Sequence, residues 1–224
     1  MQYFLLFVLM FSLMINNKTL GYRFGTSSKR GMSMAIANRA CFGAGCYWGT
    51  EKFFKTDFGK KKFPGSQIVG AVGFMGPPEA KPNPSYREVC GGRTGHVEVY
   101  DFTFNGDENT FEELVRHFYS FHDPTTKDRQ GNDMGSQYAS VIYCYDNTQK
   151  EIAKRVTNEL QTHLDNGKNP YSNIPFFKSK VSTDIRDATV FYKAQEDHQA
   201  YLDNNPWGYC NHGYRFLDWK KTFA

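Results

Sequence analysis

The feature that most constrains this chain is Gly43-Ala44-Gly45-Cys46-Tyr47-Trp48-Gly49-Thr50-Glu51, which follows the short apolar run ACF at 40–42. An apolar run ending in glycines reads as a buried strand that turns sharply out of its sheet. The helical pattern of Trp48, Phe53 and Phe54 begins immediately after it and predicts a helix from Tyr47 to about Phe58, with Gly59 as its stop. Cys46 therefore falls at a helix start, where unpaired N–H groups and the positive end of the dipole favour a thiolate. A small buried thiol is the commoner fate of a cysteine, and helix-start placement weighs evenly against it.

The rest of the chain supplies the partners for such a strand–turn–helix. Residues 66–74 and 96–104 read as strands, GPPEAKPNP (76–84) as a loop, and 137–145 as β-rich. Thr110 with Glu113, and Thr148 with Glu151, each match a capping box ahead of helically spaced apolar residues: Leu114, Val115, Phe118 and Phe121 in one case, Ile152, Val156, Leu160 and Leu164 in the other. Residues 180–192 read as two short strands, 194–202 as a last helix, and the remainder as an irregular tail. Interleaved strands and helices with a tight reversal predict an α+β fold, a two-layer α/β sandwich.

Charge and cysteine usage narrow the function classes. The net charge is +4, yet residues 1–39 hold five basic residues and no acid, so residues 40–224 carry −1. That balance leaves no footprint for nucleic acid. Five cysteines without a Cys-x-x-Cys exclude a zinc ribbon and a thioredoxin-type redox pair, and are too few for a disulfide scaffold. No histidine pair has the spacing of a metal site. Residues 3–15 form an apolar run of signal-peptide length, followed by a basic, hydroxyl-rich, acid-free stretch of transit-peptide type. Residues 1–38 are expected to be an address to a plastid, a mitochondrion or the secretory pathway, and residues 39–224 a single catalytic domain. Any membrane contact would come through an uncleaved leader.

The segment GAGCYWGTE resembles the signature GCFWGxE of the A-type peptide methionine sulfoxide reductases, and the likeness continues through NPSYREVCGGRTGHVEV (83–99), HDPTTKDRQGNDMGSQY (122–138), FYKAQEDHQAYL (191–202) and NPWGYC (205–210). Several separated motifs in order are more specific than any one of them. The resemblance implies a ferredoxin-like core with a mixed sheet and a long irregular C-terminal tail. It implies Cys46 as the nucleophile on the sulfoxide sulfur, Glu98 as the acid that protonates the leaving oxygen, and Tyr86 and Tyr138 as hydrogen-bond donors to that oxygen. Asp133 would position substrate and pocket, and Tyr47 and Trp48 would wall in the S-methyl group. Cys210 would resolve the Cys46 sulfenic acid as a disulfide, recycled by a thioredoxin-like dithiol.

On this resemblance the chain is a monomeric enzyme acting on methionine S-sulfoxide, free or in proteins, without metal or organic cofactor. The tail beyond Cys210 holds no further cysteine, which indicates a two-cysteine cycle; Cys90 and Cys144 are expected to pack, and Cys41 has no assigned role. Tyr47 stands where the signature has Phe and brings a hydroxyl to the pocket. Two other readings compete: a sulfoxide-binding or redox-sensing module without catalysis, and a cysteine hydrolase pairing Cys46 with one of the six histidines.

Overall fold

The computed structural model describes residues 38–170 and 175–223; residues 1–37 of the expected leader lie outside them, and its last expected residue, Asn38, already belongs to the first strand. Strand β1 (Asn38–Ala44) runs into the glycine turn and the short helix α1 (Tyr47–Glu51), which continues with wider, π-type turns through Lys52–Lys62. The helix thus runs past Gly59 and ends where Phe63 donates to the Phe58 carbonyl. Strands β2 (Val69–Met75) and β3 (Val97–Phe104) follow, with helix α2 (Tyr86–Cys90) in the connection between them. After helix α3 (Glu108–Phe121) come a small hairpin of β4 (Arg129–Gln130) and β5 (Asp133–Met134), then β6 (Ser140–Cys144) and helix α4 (Asn147–Asp165). The chain closes with β7 (Asp184–Asp187), β8 (Phe191–Lys193), and the short helices α5 (Tyr201–Asn204) and α6 (Trp219–Thr222).

The main sheet has the order β7-β6-β1-β3-β2-β8, with β6 and β7 parallel and the other neighbours antiparallel. This is the mixed sheet of an α+β fold, as expected. Alternation along the strands divides the core. Phe42, Val72, Tyr100, Phe102 and Ile142 meet the helices on one face, packed with Phe54, Phe118 and Val156. Cys41, Val97, Val99, Val141 and Tyr143 form a smaller core on the other. Aromatic rings dominate the larger layer: Phe42 stacks on Phe54 with centroids 4.6 Å apart, and Phe53 stacks on Phe121 at the same distance.

Three expectations need correction. The cap of α3 is Asp107, not Thr110; Thr110 sits three residues in and closes the capping box from the other side. The cap of α4 is Asp146, whose carboxylate accepts from the Gln149 N–H, rather than Thr148. An aspartate three residues before a free N–H starts each helix earlier than the threonine would. Residues 194–202 do not form one helix: Ala200 is left-handed (φ 51°), with its N–H donated to Glu51, and Gln199 hydrogen-bonds both backbone groups of Val72 like an added strand residue. These outside partners override the local helical pattern.

Candidate active site

Cys46 caps α1 from its first turn, as the sequence pattern predicts. The turn needs its glycines. A Cβ on Gly43 would stand 2.8 Å from Val97 and 3.0 Å from the Glu98 carbonyl; Gly45 is left-handed (φ 95°) and closes onto Gln130. The close approach at Gly43 sets β3 against the end of β1 and so brings Glu98 to the helix start. There Oε2 of Glu98 accepts the backbone N–H of Tyr47 at 3.1 Å.

Glu98 is 2% exposed, because β3 is a central strand with covered faces and not a half-solvated one. Burial pushes its carboxyl up to about 8, against the Tyr47 N–H, which favours the ionised form; the Asp133 charge raises it further. The acid is held neutral through the neutral pH range. The same environment changes the expected state of Cys46. Burial, and then the Glu98 charge, push the thiol well up, while the Trp48 N–H pulls it back. The helix start by itself does not yield a resting thiolate here; desolvation wins. Burial thus favours the protonated form of both the Cys46 thiol and the Glu98 carboxyl.

Tyr86 opens α2, fixed there by the reciprocal Ser85–Glu88 capping box, and Tyr138 ends the turn after β5. Both phenols are half-buried and pushed up. For Tyr138 the causes are burial and then Glu98, Cys90, Asp133 and Cys46; for Tyr86 they are burial and then Cys90, Glu98 and Tyr138. The two hydroxyls, the acid and the thiol therefore share one site, as the sequence reading expects. Trp48 stacks on Tyr201 at 3.8 Å, and buried Tyr47 packs on Phe74. The extra hydroxyl of Tyr47 lies 2.8 Å from Nδ1 of His198, so its polarity is absorbed there.

Asp133 is engaged by the C-terminal segment. Its Oδ1 accepts from Tyr209 at 2.9 Å and its Oδ2 from Asn211 at 2.6 Å, the two residues flanking Cys210. It clamps the Cys210 segment to the site. Cys46 and Cys210 are both free thiols, close enough for a charge on Cys210 to act on Cys46.

The sequence reading missed several residues. His198 packs against Tyr47, Trp48 and Tyr86, and its position inside the matching segment 191–202 was the available signal. Cys90 is half-buried beside Tyr86, within reach of the Glu98 charge, rather than in the core where Cys144 sits. His212 lies beside Cys210, and nothing in its spacing distinguished it. The hydrogen bonds of His117, His122, His198 and His212 go to groups other than Cys46, His163 lies against Glu159 and Phe223, and His96 packs edge-on to Tyr192, so none of the six histidines is hydrogen-bonded to Cys46 among the described residues.

The chain matches the model of the family described as "Peptide methionine sulfoxide reductase" over residues 38–222. It is 42% identical to peptide methionine sulfoxide reductase MsrA of Azotobacter vinelandii, over 78% of this chain and 73% of that one. The identity to the MsrA of Methanothermobacter thermautotrophicus is 37%, over 80% and 94%. Among solved structures, reduced Mxr1 of Saccharomyces cerevisiae superposes with a TM-score of 0.67 at 32% identity, covering 82% of this chain and 94% of the other. Methionine sulfoxide reductase A of Corynebacterium diphtheriae gives a TM-score of 0.61 at 33% identity, covering 78% and 77%. On this sequence match, together with the superposed fold, the chain belongs to the peptide methionine sulfoxide reductase family.

Proposed function

We propose that this enzyme reduces the S epimer of methionine sulfoxide, free or in proteins, with Cys46 as nucleophile and Glu98 as acid. The observation that carries the reading is the buried Glu98 carboxyl, neutral up to about pH 8 and tied by the Tyr47 N–H to the turn that holds Cys46. A sulfoxide oxygen leaves only when protonated, so a proton donor beside the thiol has a task that simple binding lacks. The Tyr86 and Tyr138 hydroxyls, both held protonated, are suited to donate to the same oxygen as negative charge develops on it. Tyr47 and Trp48 supply an apolar wall for the methyl group.

The bookkeeping closes without metal or organic cofactor. The Cys46 sulfur supplies the electron pair, and Cys46–SH plus sulfoxide gives Cys46–SOH plus methionine. Cys210 then forms a disulfide with Cys46 and releases water, and a thioredoxin-like dithiol restores both thiols by exchange. The leader, in the same reading, is an address to an organelle or the secretory route; residues 1–45 fused to a fluorescent protein should leave the cytosol, and a uniform cytosolic signal would overturn that.

The direct test is purified protein with a methionine-S-sulfoxide peptide and dithiothreitol. It should yield methionine from the S epimer and spare the R epimer. No methionine from either epimer would sink the assignment.

A further inference from the structure

Cys210 has a partner that the reaction so far leaves unused. The His212 ring lies over the first turn of α1, in the hollow that Gly49 leaves: a Cβ there would stand 2.0 Å from Nδ1. Its Nε2 is 2.6 Å from the Ala44 carbonyl, which can only accept, so Nε2 carries the proton. In the neutral ring Nδ1 is then a bare acceptor, and it faces Sγ of Cys210 at 4.0 Å. The ring packs against Phe53 and Phe121. The charged or titratable groups acting on it are Arg215 and Lys52, which oppose a second proton, together with buried, neutral His122 and Cys210 itself. Burial holds His212 down to about 4, so it keeps its lone pair at working pH. It is too weak a base to ionise a resting thiol and can take the proton only in concert with formation of the sulfur–sulfur bond.

We propose that His212 is the proton acceptor of the resolving step: Nδ1 orients the Cys210 thiol and takes its proton as Cys210 attacks Cys46. This rests on the reading of Cys210 as the resolving cysteine. The S–H bond of Cys210 breaks with its proton passing to Nδ1. The Sγ–Sγ bond forms from the Cys210 electron pair as the S–O bond of the Cys46 sulfenic acid breaks, and the oxygen departs as hydroxide. Hydroxide takes up one proton and the imidazolium releases one, pressed by Arg215 and Lys52. The net change is sulfenic acid plus thiol to disulfide plus water, with no outside oxidant. The Asp133 clamp on Tyr209 and Asn211 holds the backbone of this segment, while His212 prepares the sulfur.

The test is a single turnover of the full chain with one equivalent of methionine-S-sulfoxide peptide and no reductant. Methionine, sulfenic acid and disulfide are followed in alkylation-quenched samples by mass. His212→Gln should form methionine within about twofold of the wild-type rate, but close the disulfide about 100-fold more slowly, the usual worth of a positioned base. Sulfenic acid should accumulate. In His212→Gly, added imidazole should restore closure in proportion to its free-base fraction, which a merely space-filling role would not do.

Wild-type closure in His212→Gln overturns the inference. So does loss of methionine formation and closure in equal measure, which would make His212 a support for the Cys46 turn. A wild type that makes methionine but never the Cys46–Cys210 disulfide sinks the resolving reading itself, and this inference with it.

Discussion

The turn around Cys46 and the segment around Cys210 reach the same site by different means. Cys46 is set by backbone: a strand in the middle of the sheet, a glycine turn closed over Gln130, and a helix whose first N–H is committed to Glu98. Cys210 lies in residues 205–218, which form neither helix nor strand, and is set by side chains: Asp133 on its two neighbours and His212 at its sulfur. Trp207 in this segment is fully exposed, whereas Tyr47 is 1% exposed. A nucleophile benefits from a fixed position, because misplacement by an ångström is costly in rate. A resolving thiol has to approach, react and then present its disulfide to a reductant, which a segment fastened by a few breakable bonds allows.

Substitutions should separate the two regions. Cys46→Ser should abolish methionine formation with any reductant, since a hydroxyl cannot take up the oxygen; any residual turnover would break the assignment of the rigid side. Cys210→Ser should release one methionine per chain and then stop when thioredoxin is the reductant, while dithiothreitol sustains turnover. Continued cycling with thioredoxin would remove the Cys210 segment from the mechanism. Glu98→Gln should slow methionine formation by about 100-fold, because the amide donates a hydrogen bond but no proton.

Glu98 also sets a pH limb. Its folded value is raised, so the proton is present below the range of an ordinary carboxyl, is kept through neutrality and is lost as pH passes about 8. Wild-type single-turnover rates should fall above that pH, and Glu98→Gln should show no such fall.

Two smaller effects sharpen the contrast. Asp133→Ala removes both clamps from the Cys210 segment and should slow disulfide closure about tenfold, more than it slows methionine release, as a loss of about 1.4 kcal/mol of positioning would. Equal slowing of both steps would return Asp133 to a purely substrate-facing role. Tyr47→Phe deletes the bond to His198 and should cost about 1 kcal/mol of stability, a melting shift of roughly 2–4 °C, with little change in rate.

The strand–turn–helix around Cys46 was legible because it is local: apolar run, glycines and helical spacing lie in one stretch. The α3 and α4 cores were legible for the same reason, and Leu114, Val115, Phe118, Ile152, Val156 and Leu160 are buried as their spacing predicts. Glu98 was not, on residues alone. A glutamate in an alternating strand reads as solvent-facing, and only the pairing of β3 between β1 and β2 buries it. His198, His212 and the Asp133 clamp were illegible because each depends on segments more than 70 residues apart meeting in space. The broken helix at 194–202 failed likewise: Glu51 and Val72 compete for its backbone and side chains from outside.

The stretch beyond Cys210 ends in α6, where Trp219 donates to Glu159 on α4 and lies under Arg116 of α3. With α5 stacked through Tyr201 onto Trp48, Cys210 hangs in a loop pinned at both ends. Pinning narrows the volume Cys210 can explore and so raises its effective concentration at Cys46, to the order of millimolar or above. Under the proposed cycle, a sulfenic acid on Cys46 would meet that thiol before a second oxidant molecule could carry it to the irreversible sulfinic state. In that cycle Trp219, remote from the chemistry, would guard the nucleophile against over-oxidation by fixing where Cys210 waits.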